Sequence, residues 1–380
     1  MGGRTRCICG AVRSPPRAIA NLIPNMQPNE NIRVSVIVAC RNERTHIRNF
    51  LDSLCRQALG DMKIEVLIAD GMSDDGTREV LDLYRRIALP LRVIDNPDKI
   101  ASAGLNAAIR AAQGEIIIRM DAHSEYATDY IRRCLEVLHE TSAENVGGPA
   151  LTRADGYLGR AIAFAYHCAF SCGGAKFHDA EYEGYVDTVP YGCWRKSTLE
   201  HVGLFDESLS RNQDDELNLR LISSGGRIWQ SPKITSWYRP RATLTALFRQ
   251  YFQYGFWKVS VIRKHTKPGS WRHLIPGACL LIGVVLLLGA VGASLSGSAS
   301  WKSAFITTYT GFAALYFAIS VGAGFLIARR QGWRFLPILP IVFATYHISY
   351  GLGFVLGLVY SPTTGNRHSR VQHAITAITR

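Results

Sequence analysis

The sequence of 380 residues predicts an α/β domain with a mostly parallel sheet, followed by C-terminal helices that cross a membrane. In the first two-thirds of the chain, short apolar runs alternate with segments of helical periodicity, which is the pattern of parallel strands joined by crossover helices. In the last third, three segments are almost free of charge, and each reaches the roughly 20 residues that span a bilayer.

Four short apolar runs predict four parallel strands, with a helix between each strand and the next. After the first strand, Ile47, Phe50 and Leu54 have helical spacing. An Ala-rich helix precedes the fourth strand and ends at Gly114. The predicted strands are VSVIVAC (34–40), IEVLIAD (64–70), LRVIDN (91–96) and EIIIRMD (115–121).

Polar side chains follow these strands, at the edge where parallel sheets bind ligands. Asp121 ends the fourth strand and His123 follows two residues later, so both side chains lie on the same side of an extended chain. Carboxylate and imidazole both bind Mn²⁺, whereas Mg²⁺ prefers the oxygen donor. We therefore expect a divalent cation here, bridging two phosphates of a ligand. Asp70 ends the second strand and is not explained by helix capping, so it is a candidate to bind a nucleobase or ribose.

A second acidic cluster lies in the segment RNQDDELNLRL, residues 211–221. Asp214, Asp215 and Glu216 open a predicted helix, where negative charge is favourable. Three acids are more than this effect requires, so one of them is a candidate general base for a hydroxyl group. The G-x-G-x-x-G fingerprint is absent, which counts against a dinucleotide oxidoreductase.

Composition divides the chain into five parts. Residues 1–31 carry scattered arginines and prolines and no apolar run of signal-peptide length, so we expect a disordered segment there. The remaining parts are the α/β domain at 32–240, an amphipathic juxtamembrane segment at 241–272, a membrane domain of about three transmembrane helices at 273–360, and a tail at 361–380.

The formal net charge of +13 is concentrated around the apolar third of the chain. Basic residues flank the apolar segments, which fits a membrane surface, and no zinc-finger or aromatic-basic motif points to nucleic acid. The positive-inside rule places the basic residues before the first apolar segment, and those between the second and third, in the cytoplasm. Three spans then put the basic tail outside, which conflicts with the rule, so either the tail is tolerated there or one segment is re-entrant. The nine irregularly spaced cysteines favour reduced thiols in the cytosol.

The juxtamembrane segment mixes aromatic and basic side chains, a pattern typical of a helix at the lipid surface. Two interpretations remain open, simple anchoring and contact with the phosphates of a lipid carrier. The residues that we place on the lipid or acceptor side are Arg249, Gln250, Tyr254, Trp257 and Lys258.

Four motifs give the chain a family resemblance. In order and spacing, VSVIVACRNE, ADGMSDDGT, ASAGLNAAIRAAQGEIIIRMDAH and NQDDELNLRL resemble the family 2 glycosyltransferases of the GT-A fold, over residues 33 to about 235. The segment MDAHSEYATDYIRRCLEVLHETSAENVGG and the C-terminal membrane helices resemble the succinoglycan-type exopolysaccharide glucosyltransferases in particular. The resemblance implies a GT-A catalytic domain, Rossmann-like with a mostly parallel sheet, ahead of the transmembrane helices.

The resemblance also implies roles for the residues at the strand ends. Glu43 and Asp70 would contact the uridine of a nucleotide sugar, with Asn106 nearby. Asp121 would face the ribose and the diphosphate, and Asp121 and His123 would hold Mn²⁺ or Mg²⁺.

The catalytic base implied by the resemblance is Asp214, with Asp215 as the fallback. Two positions depart from the family pattern. His123 stands where the family has the second acid of Asp-x-Asp, and Gln213 stands where it has the Glu of Glu-Asp. The first departure bears on the choice of metal, and the second leaves the base on Asp214.

The function implied by the resemblance is that of a membrane-bound, inverting glycosyltransferase. It would move a hexose, expected to be glucose, from a UDP-sugar to a hydroxyl of a polyprenyl-diphosphate-linked saccharide in exopolysaccharide biosynthesis. The expected location is the inner cell membrane, with several spans and the catalytic domain in the cytoplasm. Expected partners are the membrane, the UDP-sugar donor, the lipid-linked acceptor and exopolysaccharide assembly proteins, and not nucleic acid.

Three alternative functions remain open. A processive polysaccharide synthase shares the catalytic domain, but the Gln-x-x-Arg-Trp motif is absent here and three helices make a poor channel. A polyprenyl-phosphate sugar synthase would use a phosphate as acceptor instead of a hydroxyl. An inactive, nucleotide-binding membrane assembly subunit is kept open by His123 and Gln213.

Overall fold

An eight-stranded sheet forms the centre of the first part of the chain in the computed structural model, which describes residues 34–87 and 89–360. The predictions for residues 1–31 and 361–380 lie outside the described residues. The strands are β1 (Val34–Cys40), β2 (Ile64–Asp70), β3 (Leu91–Asp95), β4 (Ile116–Arg119), β5 (Ser124–Tyr126), β6 (Asn145–Gly147), β7 (Leu151–Thr152), β8 (Gly184–Tyr185), β9 (Cys193–Arg195), β10 (Ile228–Gln230) and β11 (Ser236–Tyr238). The α-helices are α1 (Ile47–Cys55), α2 (Thr77–Ile87), α3 (Ala101–Ala111), α4 (Tyr130–Thr141), α5 (Tyr157–Tyr166), α6 (Ala169–Cys172), α7 (Lys196–Val202), α8 (Gln213–Ser223), α9 (Leu244–His265), α10 (Ile275–Leu295), α11 (Ala299–Gln331) and α12 (Leu339–Tyr360).

The first four strands of this sheet are parallel, as predicted. The strand order is β3-β2-β1-β4-β9-β6-β10-β8. In the parallel register of β1, Cys40 lies opposite Asp70 on β2, and Ile37 lies opposite Arg119 on β4. Because β1, β2 and β4 run in the same direction, the residues that follow them share one edge of the sheet.

Apolar clusters cover both faces of the parallel strands. On one face, Val38 packs with Phe50 of α1 and Leu81 of α2. On the other face, Ile37 packs with Leu105 of α3. A strand that is covered on both faces is apolar throughout instead of alternating, which is why β1, β2 and β4 are recognisable in the sequence, whereas β3 at the sheet edge is only partly buried.

The second half of the sheet was not predicted. β9 runs antiparallel between β4 and β6, while β10 pairs parallel with β6 and antiparallel with β8. A separate three-stranded sheet contains β5, β11 and β7. Each of these seven strands has only two or three residues, so none carries a pattern long enough to identify a strand.

Three helices are long and apolar enough to cross a membrane, as predicted. They cover Trp271–Leu295, Ala299–Gln331 and Leu339–Tyr360. α10 and α11 expose apolar side chains over most of their surface, such as Leu288 and Leu326, which fits contact with lipid. α12 is the most buried of the three.

Helix α9 connects the α/β domain to the membrane helices, and it occupies most of the predicted juxtamembrane segment. On one side it packs against α12 so closely that a Cβ at Gly353 would lie 1.9 Å from the carbonyl oxygen of Phe252. On the other side it is held by Asn212, just before α8, whose Nδ2 donates to the carbonyl oxygen of Tyr254 at 2.9 Å. α9 therefore positions the start of α8 relative to the membrane helices.

Candidate active site

Three charged side chains meet where β1 and β4 end. His123 lies between two carboxylates, with Nδ1 2.8 Å from Oδ1 of Asp121 and Nε2 2.7 Å from Oε1 of Glu43. β4 ends at Arg119, so Asp121 and His123 meet through a turn and not along an extended strand as predicted. The backbone N–H of His123 closes this turn by donating to Oδ1 of Asp121 at 3.0 Å. The two side chains therefore lie together as predicted, but a turn and not an extended strand brings them into contact.

The pKa values in this cluster reflect its internal pairing. Burial alone would lower the pKa of His123, but the hydrogen bonds and charges of Asp121 and Glu43 raise it to about 10. Burial alone would raise the pKa of Asp121, but its hydrogen bond to His123 and the imidazolium charge lower it to about 2. These mutual charges therefore favour the imidazolium form of His123 and the carboxylate form of Asp121.

The carboxylate and imidazole groups of this cluster are of the chemical types that bind divalent cations. Among residues 34–87 and 89–360, no group of three or more His, Cys, Asp and Glu side chains is arranged as a complete metal site. Mg²⁺ is commonly held by one or two carboxylates together with substrate phosphates, so the Asp121 carboxylate and the His123 imidazole suit a site that a diphosphate completes. Since both ring nitrogens of His123 face carboxylates, this residue must lose its proton and exchange a partner before it binds metal.

Asp70 and Asn106 lie in the fold where predicted, but neighbouring residues engage their polar atoms. The fully buried carboxylate of Asp70 accepts from the backbone and hydroxyl of Ser73, at 3.0 and 2.5 Å, and from Nε of Arg78 at 2.5 Å. The amide of Asn106 is bonded in both directions to the backbone of Phe205, at 2.8 and 2.9 Å. In this structure the two residues stabilise the turn after β2 and the segment before α8.

The candidate base Asp214 forms an ion pair with Arg119. Arg119 lies on β4, two residues before Asp121, and its side chain is nearly buried. Burial raises the pKa of Asp214 because it outweighs the attraction of Arg119, and the negative charge of Asp215 acts in the same direction. Arg119 was not among the predicted site residues, although an arginine directly after three isoleucines of a buried strand indicates a buried partner.

The neighbouring acid, Asp215, has a different partner. Lys258 of α9 is buried, and its Nζ lies 2.5 Å from the Asp215 carboxylate. Burial would raise the pKa of Asp215, but the charge and hydrogen bond of Lys258 lower it below its ordinary value. Adjacent aspartates with opposite pKa shifts are suited to different roles in a reaction.

A cavity of about 760 Å³ joins these acids to the membrane helices. Its lining includes Asp121 and the pair Asp214–Asp215 at one end. At the other end the lining comes from the three membrane helices, and includes Cys279, Tyr316 and His347. The space is therefore continuous from the strand-end edge of the sheet to the membrane domain.

The predicted acceptor-side residues divide into two groups. Gln250, Tyr254 and Lys258 line the cavity. Arg249 is exposed and is not part of the cavity wall, while Trp257 is buried in an apolar cluster. The division follows from the turn of α9, which directs only one of its faces into the cavity.

The architecture matches a known fold of nucleotide-sugar enzymes. The mannosyltransferase PcManGT from Pyrobaculum calidifontis, whose structure is a complex with GDP-Man and Mn²⁺, superposes with a TM-score of 0.52 and 18% sequence identity. The superposition covers 88% of this chain and 90% of that chain. At this identity the likeness shows the fold, a GT-A fold, and confirms the predicted fold class.

Sequence relatives identify the family. A family model described as Glycosyl transferase family 2 matches residues 35–164. The succinoglycan biosynthesis protein ExoA of Rhizobium meliloti (strain 1021) is 31% identical over 324 residues, which are 84% of this chain and 93% of that protein. The chain therefore belongs to glycosyltransferase family 2, and it is a nucleotide-sugar-dependent glycosyltransferase, as predicted.

A further relative carries a more specific name. The dolichyl N-acetyl-alpha-D-glucosaminyl phosphate 3-beta-D-2,3-diacetamido-2,3-dideoxy-beta-D-glucuronosyltransferase of Methanococcus voltae is 28% identical over 239 residues. The match covers 61% of this chain and 74% of that protein.

Proposed function

We propose that this protein is a membrane-bound, inverting glycosyltransferase that moves a hexose from a UDP-sugar to a hydroxyl of a polyprenyl-diphosphate-linked saccharide, in exopolysaccharide biosynthesis. Glucose is the expected sugar. The observation that carries the proposal is the continuous cavity between the acids at Asp121 and Asp214 and the three membrane helices. The names of the two relatives support it, since one belongs to succinoglycan biosynthesis and the other acts on a dolichyl-linked sugar phosphate.

The nucleotide sugar is proposed to bind at the ends of β1, β2 and β4, with its diphosphate near Asp121. Glu43, Asp70 and Asn106 are proposed for the uridine side. Since Ser73 and Arg78 engage both oxygens of Asp70, a contact from Asp70 to uracil requires the exchange of one of these hydrogen bonds.

Asp121 and His123 are proposed to hold the divalent cation, Mn²⁺ or Mg²⁺. When bound, such a cation offsets the negative charge that develops on the nucleoside diphosphate as it leaves. Exchange of the His123–Glu43 ion pair would free one ring nitrogen for this role.

Proton transfer is proposed to use Asp214. The acceptor hydroxyl oxygen attacks the anomeric carbon as its proton passes to the Asp214 carboxylate, and the bond from that carbon to the diphosphate oxygen breaks with its electron pair going to the diphosphate. A single displacement of this kind inverts the anomeric configuration. Arg119 is proposed to position Asp214, because their ion pair joins β4 to the first turn of α8.

The proposed location is the inner cell membrane, with three spans and the catalytic domain on the cytoplasmic side. The basic residues Arg329, Arg330 and Arg334 between α11 and α12 support a cytoplasmic position for that connection. The lipid-linked acceptor would then reach the cavity from the bilayer, and exopolysaccharide assembly proteins are the proposed protein partners.

The experiment that tests this function uses the full chain in detergent with a panel of UDP- and GDP-sugars. We expect nucleotide diphosphate release from one UDP-hexose, stimulated by Mn²⁺ or Mg²⁺ and reduced to background by EDTA. NMR of the transferred sugar is expected to give the anomeric configuration opposite to that of the donor. The proposal would be contradicted if nucleoside diphosphate were released from a GDP-sugar and from no UDP-sugar, or if the transferred sugar kept the anomeric configuration of the donor.

A further inference from the structure

Four polar side chains form a cluster where the catalytic domain meets the membrane helices, and we refer to it as the junction cluster. Lys258 lies on α9, Arg272 and His273 lie in the turn before α10, and Tyr350 lies on α12. All four line the cavity. The ion pair between Lys258 and Asp215 places the junction cluster beside the catalytic acids.

Two atoms of the junction cluster lack a hydrogen-bond partner within the described part of the chain. They are Nδ1 of His273 and the hydroxyl oxygen of Tyr350, and both are buried. A buried polar group without a partner is unfavourable, and each such case in a folded protein calls for a ligand, an ion or a water. The two residues belong to different elements and line one cavity, so both atoms lie close to the space that a single ligand with several oxygens would fill.

The two cations of the junction cluster retain unused donors. Lys258 donates to Asp215 and Arg272 donates to Asp187. An ammonium carries three N–H donors and a guanidinium carries five, so each can keep its carboxylate and still donate to an anion. The guanidinium matches the oxygens of phosphate geometrically, and the Lys258 side chain, only 7% exposed, holds its charge at the cavity wall.

Beyond the junction cluster, the cavity wall is mostly apolar, with Tyr316 and His347 among the polar exceptions. Cys279 of α10 and Phe312, Leu315 and Ile319 of α11 line this part, within the helices that are apolar enough to cross a membrane. A ligand that fills both parts of the cavity has an anionic head with several oxygens and a hydrocarbon chain.

We propose that the junction cluster binds the diphosphate of the polyprenyl-linked acceptor, with the isoprenoid chain between α10 and α11. This inference rests on the proposed function, because it specifies how the acceptor of that reaction is held. The cavity then extends from the bound diphosphate to Asp214, so the attached saccharide lies along it with a hydroxyl toward the base. Arg272, His273 and Tyr350 are the residues that this inference adds to the acceptor side.

The test measures lipid binding by the full chain in phosphatidylcholine nanodiscs. The probes are undecaprenyl diphosphate and the neutral alcohol undecaprenol. We expect the diphosphate to bind at least about tenfold more tightly than the alcohol, and Tyr350→Phe and Arg272→Gln each to weaken diphosphate binding about three- to tenfold without changing alcohol binding. Matched controls are Tyr309→Phe and Arg330→Gln, which lie outside the cavity and are expected to change neither affinity.

Tyr350→Phe separates ligand binding from folding. It removes only a hydroxyl that has no hydrogen-bond partner among the described residues, so a purely structural role predicts unchanged binding of both lipids. Equal affinity for diphosphate and alcohol, or unchanged diphosphate binding in both cavity variants, would overturn the inference. Displacement of the diphosphate when phosphatidylglycerol replaces phosphatidylcholine would also overturn it, because the junction cluster would then bind bilayer phosphate.

A separate measurement in the same samples distinguishes this inference from the proposed function. UDP binding with Mn²⁺ is expected in the unmodified protein and in all four variants. Loss of UDP binding in every sample, together with intact discrimination between the two lipids, would contradict the glycosyl-transfer proposal while supporting the junction cluster.

Discussion

The two ends of the cavity differ in how their polar groups are paired. At the catalytic end, the carboxylates of Asp121 and Asp214 face the cations His123 and Arg119. Where the cavity reaches the membrane helices, Lys258 and Arg272 are paired with carboxylates, but the Tyr350 hydroxyl is buried without a partner among the described residues. Groups that satisfy one another hold a fixed geometry but must exchange partners to bind a ligand, whereas unpaired groups are satisfied only when a ligand or water binds. The comparison therefore separates residues that we propose to position the reaction from residues that we propose to hold a substrate.

A similar contrast exists within the catalytic end. Asp214 and Asp215 are adjacent, yet burial raises the pKa of the first, whereas Lys258 lowers that of the second against the effect of burial. The partner of each acid, and not its residue type, sets its protonation behaviour. This difference leads to the prediction with the largest effect.

Asp214→Asn is expected to reduce kcat by about 10²- to 10⁴-fold, because it removes the proton acceptor. Asp215→Asn is expected to have a much smaller effect on kcat, since Lys258 already occupies that carboxylate. Steady-state kinetics with the preferred UDP-sugar and a lipid-linked acceptor measure both. The surface variant Asp61→Asn serves as the matched control, and a larger loss in Asp215→Asn than in Asp214→Asn would reverse the assignment of the base.

Arg119→Met is expected to lower kcat by about tenfold or more, which corresponds to about 1.4 kcal/mol of lost transition-state stabilisation. It should also move the acid limb of the pH–rate profile. Asp214 acts as a base only when deprotonated, so the rate rises with pH through its pKa, and removing the Arg119 charge raises that pKa further. The limb should therefore lie at higher pH in the variant.

The control for this shift is Arg119→Lys, which keeps a positive charge near Asp214. Its acid limb should lie between those of the unmodified protein and of Arg119→Met. A shift of the Arg119→Met limb toward lower pH would show that Asp214 is not the group that titrates.

His123→Asp is expected to change the metal preference, by a few-fold in the ratio of Mg²⁺- to Mn²⁺-supported rates. A carboxylate at this position replaces the imidazole with the oxygen donor that Mg²⁺ prefers. Metal titrations of initial rate measure the ratio, and His139→Asp on the exposed surface of α4 is the matched control. An unchanged ratio would place the metal away from His123.

Arg249→Gln is expected to change KM for the lipid acceptor by less than about twofold, which is the smallest of the predicted effects. Its side chain is exposed and does not line the cavity, although it lies on the same helix as Lys258. Lys258→Gln is the comparison on that helix, and it should raise this KM clearly. Equal effects of the two substitutions would indicate general attraction to an anionic surface and not a defined site.

The parallel half of the fold could be predicted because its signals are local. β1 to β4 are apolar runs of four to seven residues with helical segments between them, and each can be recognised without knowledge of its neighbours. β9, with three residues, could not be recognised, because its pairing with β4 and β6 depends on contacts far apart in the sequence. The three membrane helices differ from β9, because their length and lack of charge are enough to identify them in the sequence.

The candidate site shows the same limit. The proximity of Asp121 and His123 followed from their spacing of two residues, but the ion pair between His123 and Glu43 joins the segments that follow β4 and β1 and is not visible in the sequence. The ion pair of Lys258 with Asp215 likewise connects α9 to α8. Motif order therefore predicted which residues gather at the strand ends, and tertiary contacts determine which charge each one faces.

The most direct test of the central claim, that one cavity joins the transfer site to a lipid-held acceptor, is the distribution of label from a radioactive UDP-sugar. The full chain in nanodiscs is given the same saccharide in two forms, linked to polyprenyl diphosphate and free in solution. We expect metal-dependent incorporation into the lipid extract and little into the free saccharide. Equal incorporation into both forms would contradict the claim, because the membrane end of the cavity would then have no part in holding the acceptor.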